Sequence, residues 1–299
     1  MHPRGCSRPL QRVVTDLGAD LPFAQAAGKL QEHYGVILSP STIRQVSEGH
    51  ARALIGDADA EPVWPTQAGA AMVIAHVDGG MVPLVEVDLD RPDCRRVKRL
   101  LWKEAKLSLA HAHGSTTRVC GETLGGGVEV AWQQLLARCG SPIRSRRASA
   151  PRALTRWTSS MSVIISPRRP RVVHPMTPRL AWGVQKKRMK NNDGASVLAA
   201  LGAALEPATV SDADARVRAC HRYLSNRLDQ LDYQGALARG LPIGSGEIEN
   251  PHCYVVQQRL KRAGAWWIPD NAEAMLALRV TRTNGRWSAY WQNDLKQAA

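Results

Sequence analysis

The sequence predicts an α/β protein in which helices flank a central β region. Three observations support this class. β-branched and alternating residues occupy 71–87 and 100–113, apolar residues recur at helical spacing within 21–53, and helical spacing returns after Gly246. Apolar residues make up 44% of the 299 residues, which is enough to form a sizeable core.

Composition also indicates where the protein works. No run of 18 apolar residues occurs, so we expect no membrane span, and the N-terminus lacks the apolar segment of a signal peptide. The 6 cysteines are scattered without a C-x-x-C pair, which is typical of reduced thiols and argues against a disulfide framework or a zinc site. We therefore expect a cytoplasmic protein without membrane contact.

The positive charge is concentrated in one part of the chain. The formal net charge is +14, and residues 130–192 contain 14 of the 40 Lys and Arg residues but no acid. The rest of the chain carries 26 basic and 26 acidic residues. An excess of basic residues is typical of proteins that bind nucleic acid.

Two predicted helices near the N-terminus form a candidate DNA-binding element. Residues 1–12 are polar and are expected to be frayed. Residues 21–33 have one apolar face and end at Gly35, and Ser39-Pro40 fits the start of a second helix that continues towards Ala53. We interpret the pair as a helix-turn-helix, with a plain helical hairpin as the alternative. The residues expected to be exposed towards DNA are Ser41, Thr42, Arg44, Gln45 and Glu48.

The β region follows a proline-containing linker, 57–68. Residues 71–77 and 81–87 are predicted strands joined by a turn at Asp78-Gly79-Gly80, because Asp-Gly is a common hairpin signal. Residues 100–113 are predicted to form a third strand.

Downstream of these strands, the glycine-rich residues 121–127 are predicted to form a loop, and 128–137 a helix. Further helices are predicted within 180–238. One covers 194–205, and a longer one begins at Ser211 with a capping box to Asp214.

A glycine turn, Gly244-Ser245-Gly246, precedes an amphipathic helix that carries Glu249 near its start. The helix dipole would orient this carboxylate and keep it ionised, and a hard divalent metal prefers such an oxygen ligand. A second helix is predicted to begin with a capping box from Asp270 to Glu273. The alternative is a glycine turn followed by helices with a solvated basic face. The basic residues assigned to a polyanion-binding surface are Arg259, Lys261, Arg262, Arg279, Arg282 and Arg286.

Several blocks resemble the insertion-sequence transposases of bacteria, and the ISKra-type group in particular. They are HVDGGMVPLVEV, GSGEIE, QQRLKRAGAWW and NAEAMLALR…NGRWSAYW, together with GCSRPLQRVVTDLGAD and AGKLQEHYGVILSPSTIRQVSEGHA near the N-terminus. The resemblance implies an RNase H-like mixed sheet with flanking helices and a helical insertion at 180–238, preceded by a small helix-turn-helix-like region. It implies a DNA-binding region at 1–56 and a catalytic domain at 69–299.

The same resemblance implies a reaction and its site. These transposases cleave and join DNA strands with two Mg²⁺ or Mn²⁺ ions held by three acids. Asp78 corresponds to the first acid and Glu249 to the last, so both are candidate catalytic residues and metal ligands. The implied partners are the double-stranded DNA of the transposon ends and further copies of the chain.

Residues 139–178 depart from the family pattern. Ser, Pro and Arg dominate them, and the expected G-D-G-A-P-W-I-like block with the second catalytic Asp does not occur. Family-like sequence resumes at Arg179, which favours translation out of frame between two frameshifts; a basic linker that binds the DNA backbone is the alternative. The chain also resembles a copy truncated at its start. We therefore expect an inactive transposase copy, or alternatively a non-catalytic protein that binds DNA through its N-terminal helices and basic segment.

Overall fold

The computed structural model describes residues 6–58, 72–87, 98–139, 182–244 and 246–297. It divides the chain into two compact units. Residues 1–144 and 248–299 form the first, called the sheet unit, and residues 145–247 form the second, called the helical unit. The predicted α/β class is confirmed.

Three helices open the sheet unit: α1 (Arg8–Asp20), α2 (Phe23–Tyr34) and α3 (Pro40–Ala58). The predicted helices α2 and α3 are confirmed, whereas the expectation that residues up to 12 are frayed is wrong for α1. Residues Val14, Leu30 and Ile43 lie fully buried in one apolar cluster between the three helices. This packing stabilises α1, in which Leu10, Val13, Val14 and Leu17 recur at helical spacing.

The ends of α2 and α3 follow the predicted capping chemistry. Gly35 has a left-handed φ of 65° and its N–H donates to the carbonyl of Gln31, which ends α2. The hydroxyl of Ser39 accepts the N–H of Thr42 at 3.1 Å, and Pro40 is the first residue of α3.

The strands β1 (Val73–Val87), β2 (Lys98–Ala112) and β3 (Val119–Leu124) form an antiparallel sheet in the order β1-β2-β3. The predicted turn at Asp78-Gly79-Gly80 is wrong, because β1 runs straight through it and Asp78 pairs with Leu107. The predicted loop at 121–127 is also corrected, since its first four residues belong to β3.

The sheet has a helical layer on each face. On one face, Ser108 donates to the carbonyl of Ala131 at 2.7 Å and so fixes α4 (Val128–Cys139) over β2 and β3. On the other face, Leu84, Leu107 and Leu109 belong to a large apolar cluster built with helices from the end of the chain. Alternation of side chains along the strands produces these two packed faces.

The helical unit contains α5 (Trp182–Lys190), α6 (Gly194–Gly202), α7 (Arg216–Ser225) and α8 (Tyr233–Ala238). Its own core includes Val197, Leu201 and Leu224, and the predicted helical insertion is confirmed as helical. The capping box predicted at Ser211 is wrong. The helix begins five residues later, and the Glu206 carboxylate accepts two of its first N–H groups.

Three helices complete the sheet unit. Helix α9 (Gly246–His252) continues through a π-helical turn, Cys253–Gln257, and a last α-turn, Gln258–Leu260. Helix α10 (Pro269–Thr283) packs against α3 and β3, and α11 (Trp287–Gln297) follows. Pro269 is the first residue of α10, so the capping box predicted from Asp270 is wrong.

Contacts within the sheet unit join the N-terminal helices to the C-terminal ones. The N-terminal helices do not form a body of their own, because α1 and α3 pack against α10 within the sheet unit. The predicted linker, 57–68, lies outside the described residues except for its first two. The segment 139–178, where the second catalytic acid was expected, lies outside them except for Cys139. None of the described helices combines the length and apolar character needed to span a bilayer.

Candidate functional site: a carboxylate pair and basic surfaces

Asp78 lies in the middle of β1, on the face of the sheet that carries the C-terminal helices. It is half-buried, and its Oδ1 accepts the N–H of Gly79 at 2.9 Å. Gly80 and Val82 follow on the same face, since side chains alternate along a strand. The prediction that Asp78 ends a strand is therefore wrong, but the residue does face the helices that carry Glu249.

His252 fixes α9 against β1 at this point. A Cβ atom on Gly80 would lie 2.7 Å from the Cε1 atom of His252, so the imidazole occupies the space that a side chain at Gly80 would need. Nδ1 of His252 lies 3.2 Å from the Gln257 side-chain nitrogen. Burial lowers the pKa of His252, and the negative charge of Asp78 opposes this shift. The ring therefore favours its neutral form.

Glu249 precedes His252 by three residues in α9, so the two side chains lie about one turn apart on the same side of the helix. Its side chain is exposed. Because His252 rests on Gly80, and Asp78 is two residues away on the same face, both candidate carboxylates belong to the same side of the sheet. The predicted pair is thus consistent with the fold.

The sheet carries two other acids near Asp78. Glu122 shares its face, because both residues are in register with Leu107, but it is buried and paired with Arg138. Glu104 lies on the opposite face. Glu104 is opposite Met81 in the strand register, its carboxylate covers Gly79, and it forms an ion pair of 2.5 Å with Lys106. It is separated from Asp78 by the sheet and does not complete a three-acid site. Across the described ranges, no three His, Cys, Asp or Glu side chains come together to hold a metal ion. The described residues therefore do not fit the two-metal centre that the family resemblance implies.

Some of the predicted DNA-contacting residues of α3 are exposed to solvent. Ser41, Arg44 and Gln45 are exposed and Thr42 is half-buried, and the hydroxyls of Ser41 and Thr42 both bond to that of Ser39. The prediction that Glu48 is exposed towards DNA is wrong. Glu48 lies on the same side of α3 as Ser41 and Arg44 but is buried, and burial raises its pKa.

The prediction that Arg259 and Arg279 belong to a polyanion-binding surface is also wrong, because both side chains are buried. Arg259 donates twice to the carbonyl of Gly18, and its guanidinium lies 4.8 Å and 4.6 Å from the rings of Phe23 and Trp267. Burial lowers its pKa to about 10. Arg279 donates to the carbonyl of Ala19 and to further carbonyls of the π-helical turn.

These guanidinium groups bind the carbonyl end of α1. The last carbonyls of a helix have no partner within the helix and carry partial negative charge. Arg282 contributes to the same contact through ion pairs of 3.2 Å with Asp16 and 3.0 Å with Asp20. A row of arginines at helical spacing predicts a solvated face, and the sequence carries no signal that α1 would cover it.

Lys261 and Arg262 are exposed as predicted, and Arg286 is exposed while donating to the carbonyl of Arg138 at 2.7 Å. The available predicted DNA-binding residues are therefore Ser41, Thr42, Arg44, Gln45, Lys261, Arg262 and Arg286.

Sequence reasoning missed a buried ion pair between β3 and α4. Glu122 in β3 forms an ion pair with Arg138 in α4, and both side chains are buried. They line a cavity of about 50 Å³ together with Ile55, Gln134 and Glu273. Burial raises the pKa of Glu122 to about 7, and the Arg138 charge opposes this shift. Nothing in the spacing of these residues indicated the pair.

The fold and site define an α/β protein with an antiparallel sheet, two carboxylates on one side of it and exposed cations on its helices. No protein-family model matches the chain, and no curated protein matches it. The transposase assignment therefore rests on the sequence blocks quoted above and remains a proposal.

Proposed function

We propose that this chain is a copy of an insertion-sequence transposase that binds double-stranded DNA but does not cleave or transfer strands. The supporting observation is the contact between His252 and Gly80. It joins the block around Asp78 to the block around Glu249, although 171 residues separate these two acids in the sequence. Both blocks carry the transposase resemblance, and their meeting is what a shared active-site origin requires.

The number of acids is the reason for expecting no cleavage. Two-metal strand transfer uses ligands that hold both ions and stabilise both the attacking and the leaving oxygen. Asp78 and Glu249 supply two carboxylates, and residues 130–192 contain no acid. Glu104 lies on the other face of the sheet, and Glu122 is buried in an ion pair with Arg138. We expect cleavage to fall below detection with Mg²⁺ and with Mn²⁺.

Double-stranded DNA is proposed to bind the exposed polar and basic residues of α3 and of the turn after α9. Arg44 and Gln45 lie exposed in the first turns of α3, as a recognition helix requires, and Lys261 and Arg262 offer phosphate contacts. A phosphate-dominated interface weakens as salt is added, with a slope that reports the number of phosphates neutralised.

Binding is tested by fluorescence anisotropy of a labelled duplex at several salt concentrations. Arg44→Ala and Lys261→Ala should each weaken binding and reduce the salt slope by about one. Arg222→Ala is the matched control, since Arg222 is an exposed arginine of the helical unit, and it should leave both quantities unchanged. Equal binding by all three variants would overturn the proposed DNA surface.

Cleavage is tested on supercoiled plasmid with Mg²⁺ or Mn²⁺. The proposal expects no nicks above those of the buffer. Metal-dependent nicks that disappear in both Asp78→Asn and Glu249→Gln would show an active enzyme and refute the loss of cleavage. The lineage has its own test, the nucleotide sequence under codons 135–182 translated in the other two forward frames. A G-D-G-A-P-W-like block in one of them supports a frameshifted transposase, whereas stops in both frames oppose it.

A further inference from the structure

The face of the sheet that carries α4 also carries an exposed apolar surface. Five large side chains on it are between 45% and 56% exposed, a concentration that typically marks an interaction site. We call this surface the tryptophan face. Its members are Met81, Leu100, Trp102, Trp266 and Ile268.

The strand register puts three of these residues on one face. Met81 precedes the buried Val82 in β1 and therefore points to the opposite side of the sheet. Trp102 is paired with Pro83, two residues beyond Met81, so it shares the face of Met81. Leu100 shares it too, because it lies two residues from Trp102 in β2.

The remaining two residues come from the segment between α9 and α10. Trp267 forms a parallel bridge with Leu84, and its carbonyl accepts the N–H of Val85 at 2.8 Å. Trp267 is buried in the core with Leu84. Its neighbours Trp266 and Ile268 point the other way along this extended segment, so they extend the apolar surface past the edge of β1.

Helix α4 covers a different part of the same face. It contacts β2 through Ser108 and Ala131, and it contacts β3 where a Cβ on Gly121 would lie 2.5 Å from the backbone nitrogen of Leu135. These contacts lie over β2 and β3, whereas the tryptophan face lies over β1 and the other end of β2.

Positive charge borders the tryptophan face. Lys98 is exposed on the same side of β2, two residues from Leu100. The acid on this face of β2, Glu104, is already paired with a lysine. Asp270 follows in the first turn of α10. Lys98 therefore places positive charge beside the apolar rings, which gives a surface complementary to an anionic ligand that has flat apolar parts.

We infer that the tryptophan face binds single-stranded DNA. Bases stack on exposed aromatic rings whatever their sequence, and neighbouring cations contact the phosphates. Trp102 and Trp266 provide two such rings, and Lys98 provides a cation beside them. The choice of DNA over RNA rests on the proposed function, whereas the stacking geometry is independent of the proposed function.

The test measures anisotropy of a labelled 20-nucleotide oligo-dT with the full chain. Trp102→Ala and Trp266→Ala should each weaken binding roughly 5- to 150-fold, the range measured for removal of one stacking ring. Tyr34→Ala is the matched control, because Tyr34 is an exposed aromatic residue on α2, and it should leave the affinity unchanged.

A second pair of variants separates stacking from general apolar contact, which would favour a second copy of the chain as occupant. Trp102→Phe keeps an aromatic ring and should retain most of the oligo-dT affinity, whereas Trp102→Leu keeps apolar area and should lose it. Sedimentation velocity measures self-association in parallel. One result would overturn the inference in favour of a protein partner. The chain would form a dimer that persists in Trp102→Leu and dissociates in Trp102→Ala, while oligo-dT binding is unchanged in both variants.

Comparing oligo-dT binding with binding of the labelled duplex separates this inference from the proposed function. Binding to duplex through Arg44 without binding to oligo-dT refutes the tryptophan face as a DNA site and leaves the proposed function standing. Binding to oligo-dT that depends on Trp102, without duplex binding, supports the tryptophan face as a DNA site and refutes the proposed duplex binding. An oligo-rU that binds more tightly than oligo-dT would overturn the choice of DNA.

Discussion

Replacing Gly80 by alanine tests the contact that supports the proposed function. The new Cβ would lie 2.7 Å from Cε1 of His252, closer than real side chains pack. His252 cannot move aside easily, because its side chain is 2% exposed and sits over the sheet between buried residues of α9. Overpacking of this kind costs about 1–3 kcal/mol.

Alanine also has a favourable effect at this position. It restricts the unfolded chain more than glycine does, which stabilises a protein by about 0.4–1 kcal/mol where the backbone tolerates it. The overpacking therefore outweighs the gain, and we expect Gly80→Ala to lower the free energy of unfolding by on the order of 1–2 kcal/mol. Gly49→Ala in α3 is the matched control. A Cβ there has no atom within 4 Å, so this variant should be stabilised.

Urea denaturation followed by circular dichroism measures both variants. A double-mutant cycle with His252→Ala then assigns the cause, since Gly80→Ala should cost nothing once the imidazole is removed. If Gly80→Ala is as stable as Gly49→Ala, or if its cost persists without the imidazole, His252 does not rest on β1. The proposed meeting of the two transposase-like blocks would then fail.

Three further outcomes are expected. The pKa of Glu122, which faces Arg138 and Glu273, is raised to about 7, so the folded state binds an extra proton and the free energy of unfolding should fall as pH rises from about 4.5 through 7. Glu122→Gln should remove this part of the pH dependence in denaturant melts, and an unchanged profile would contradict the prediction. Arg279→Met should lower the free energy of unfolding by about 1–3 kcal/mol, because the buried carbonyls of Ala19 and Val255 lose their donor while Asp20 keeps Arg282. A loss below about 0.5 kcal/mol in urea melts would show that the contact is weak. Gly121→Ala should destabilise more than Gly80→Ala, because its Cβ meets the backbone of α4, which cannot rotate away as a side chain can; calorimetry that ranks them in the opposite order would contradict this.

The helices that could be predicted from sequence are those with local signals. Gly35 and Ser39-Pro40 set the boundary between α2 and α3 through chemistry that acts within a few residues, and both act as expected. Helix α1 carries such a signal too, since Leu10, Val13, Val14 and Leu17 recur at helical spacing, but the burial of its polar residues could not be predicted. Gln11 and Thr15 are polar residues in its buried side, and their polarity is satisfied by bonds to the carbonyls of Cys6 and Gln11. A polar residue with a partner is buried as readily as an apolar one, and the sequence does not reveal the partner.

The two glycines after Asp78 illustrate a different limit. Asp-Gly-Gly predicts a turn because glycine adopts turn conformations readily, but glycine also occurs in strands where another group approaches the backbone. Here Gly79 accommodates Glu104 on one face and Gly80 accommodates His252 on the other. Which use applies depends on residues 25 and 172 positions further along the chain, so local pattern could not decide it.

The arginines of α9 and α10 connect the two parts of the proposed DNA-binding protein. Arg259 and Arg279 hold the carbonyl end of α1, and α1 packs with α3, which carries Arg44 and Gln45. The helix that carries Glu249 is continuous with the turn that carries Arg259. The exposed residues of α3 are thereby held in a fixed relation to the carboxylate side of the sheet. A chain that lost cleavage would still need this connection to keep its DNA-binding residues oriented, because Ala19, Ala51 and Leu54 of the N-terminal helices are buried against the C-terminal ones.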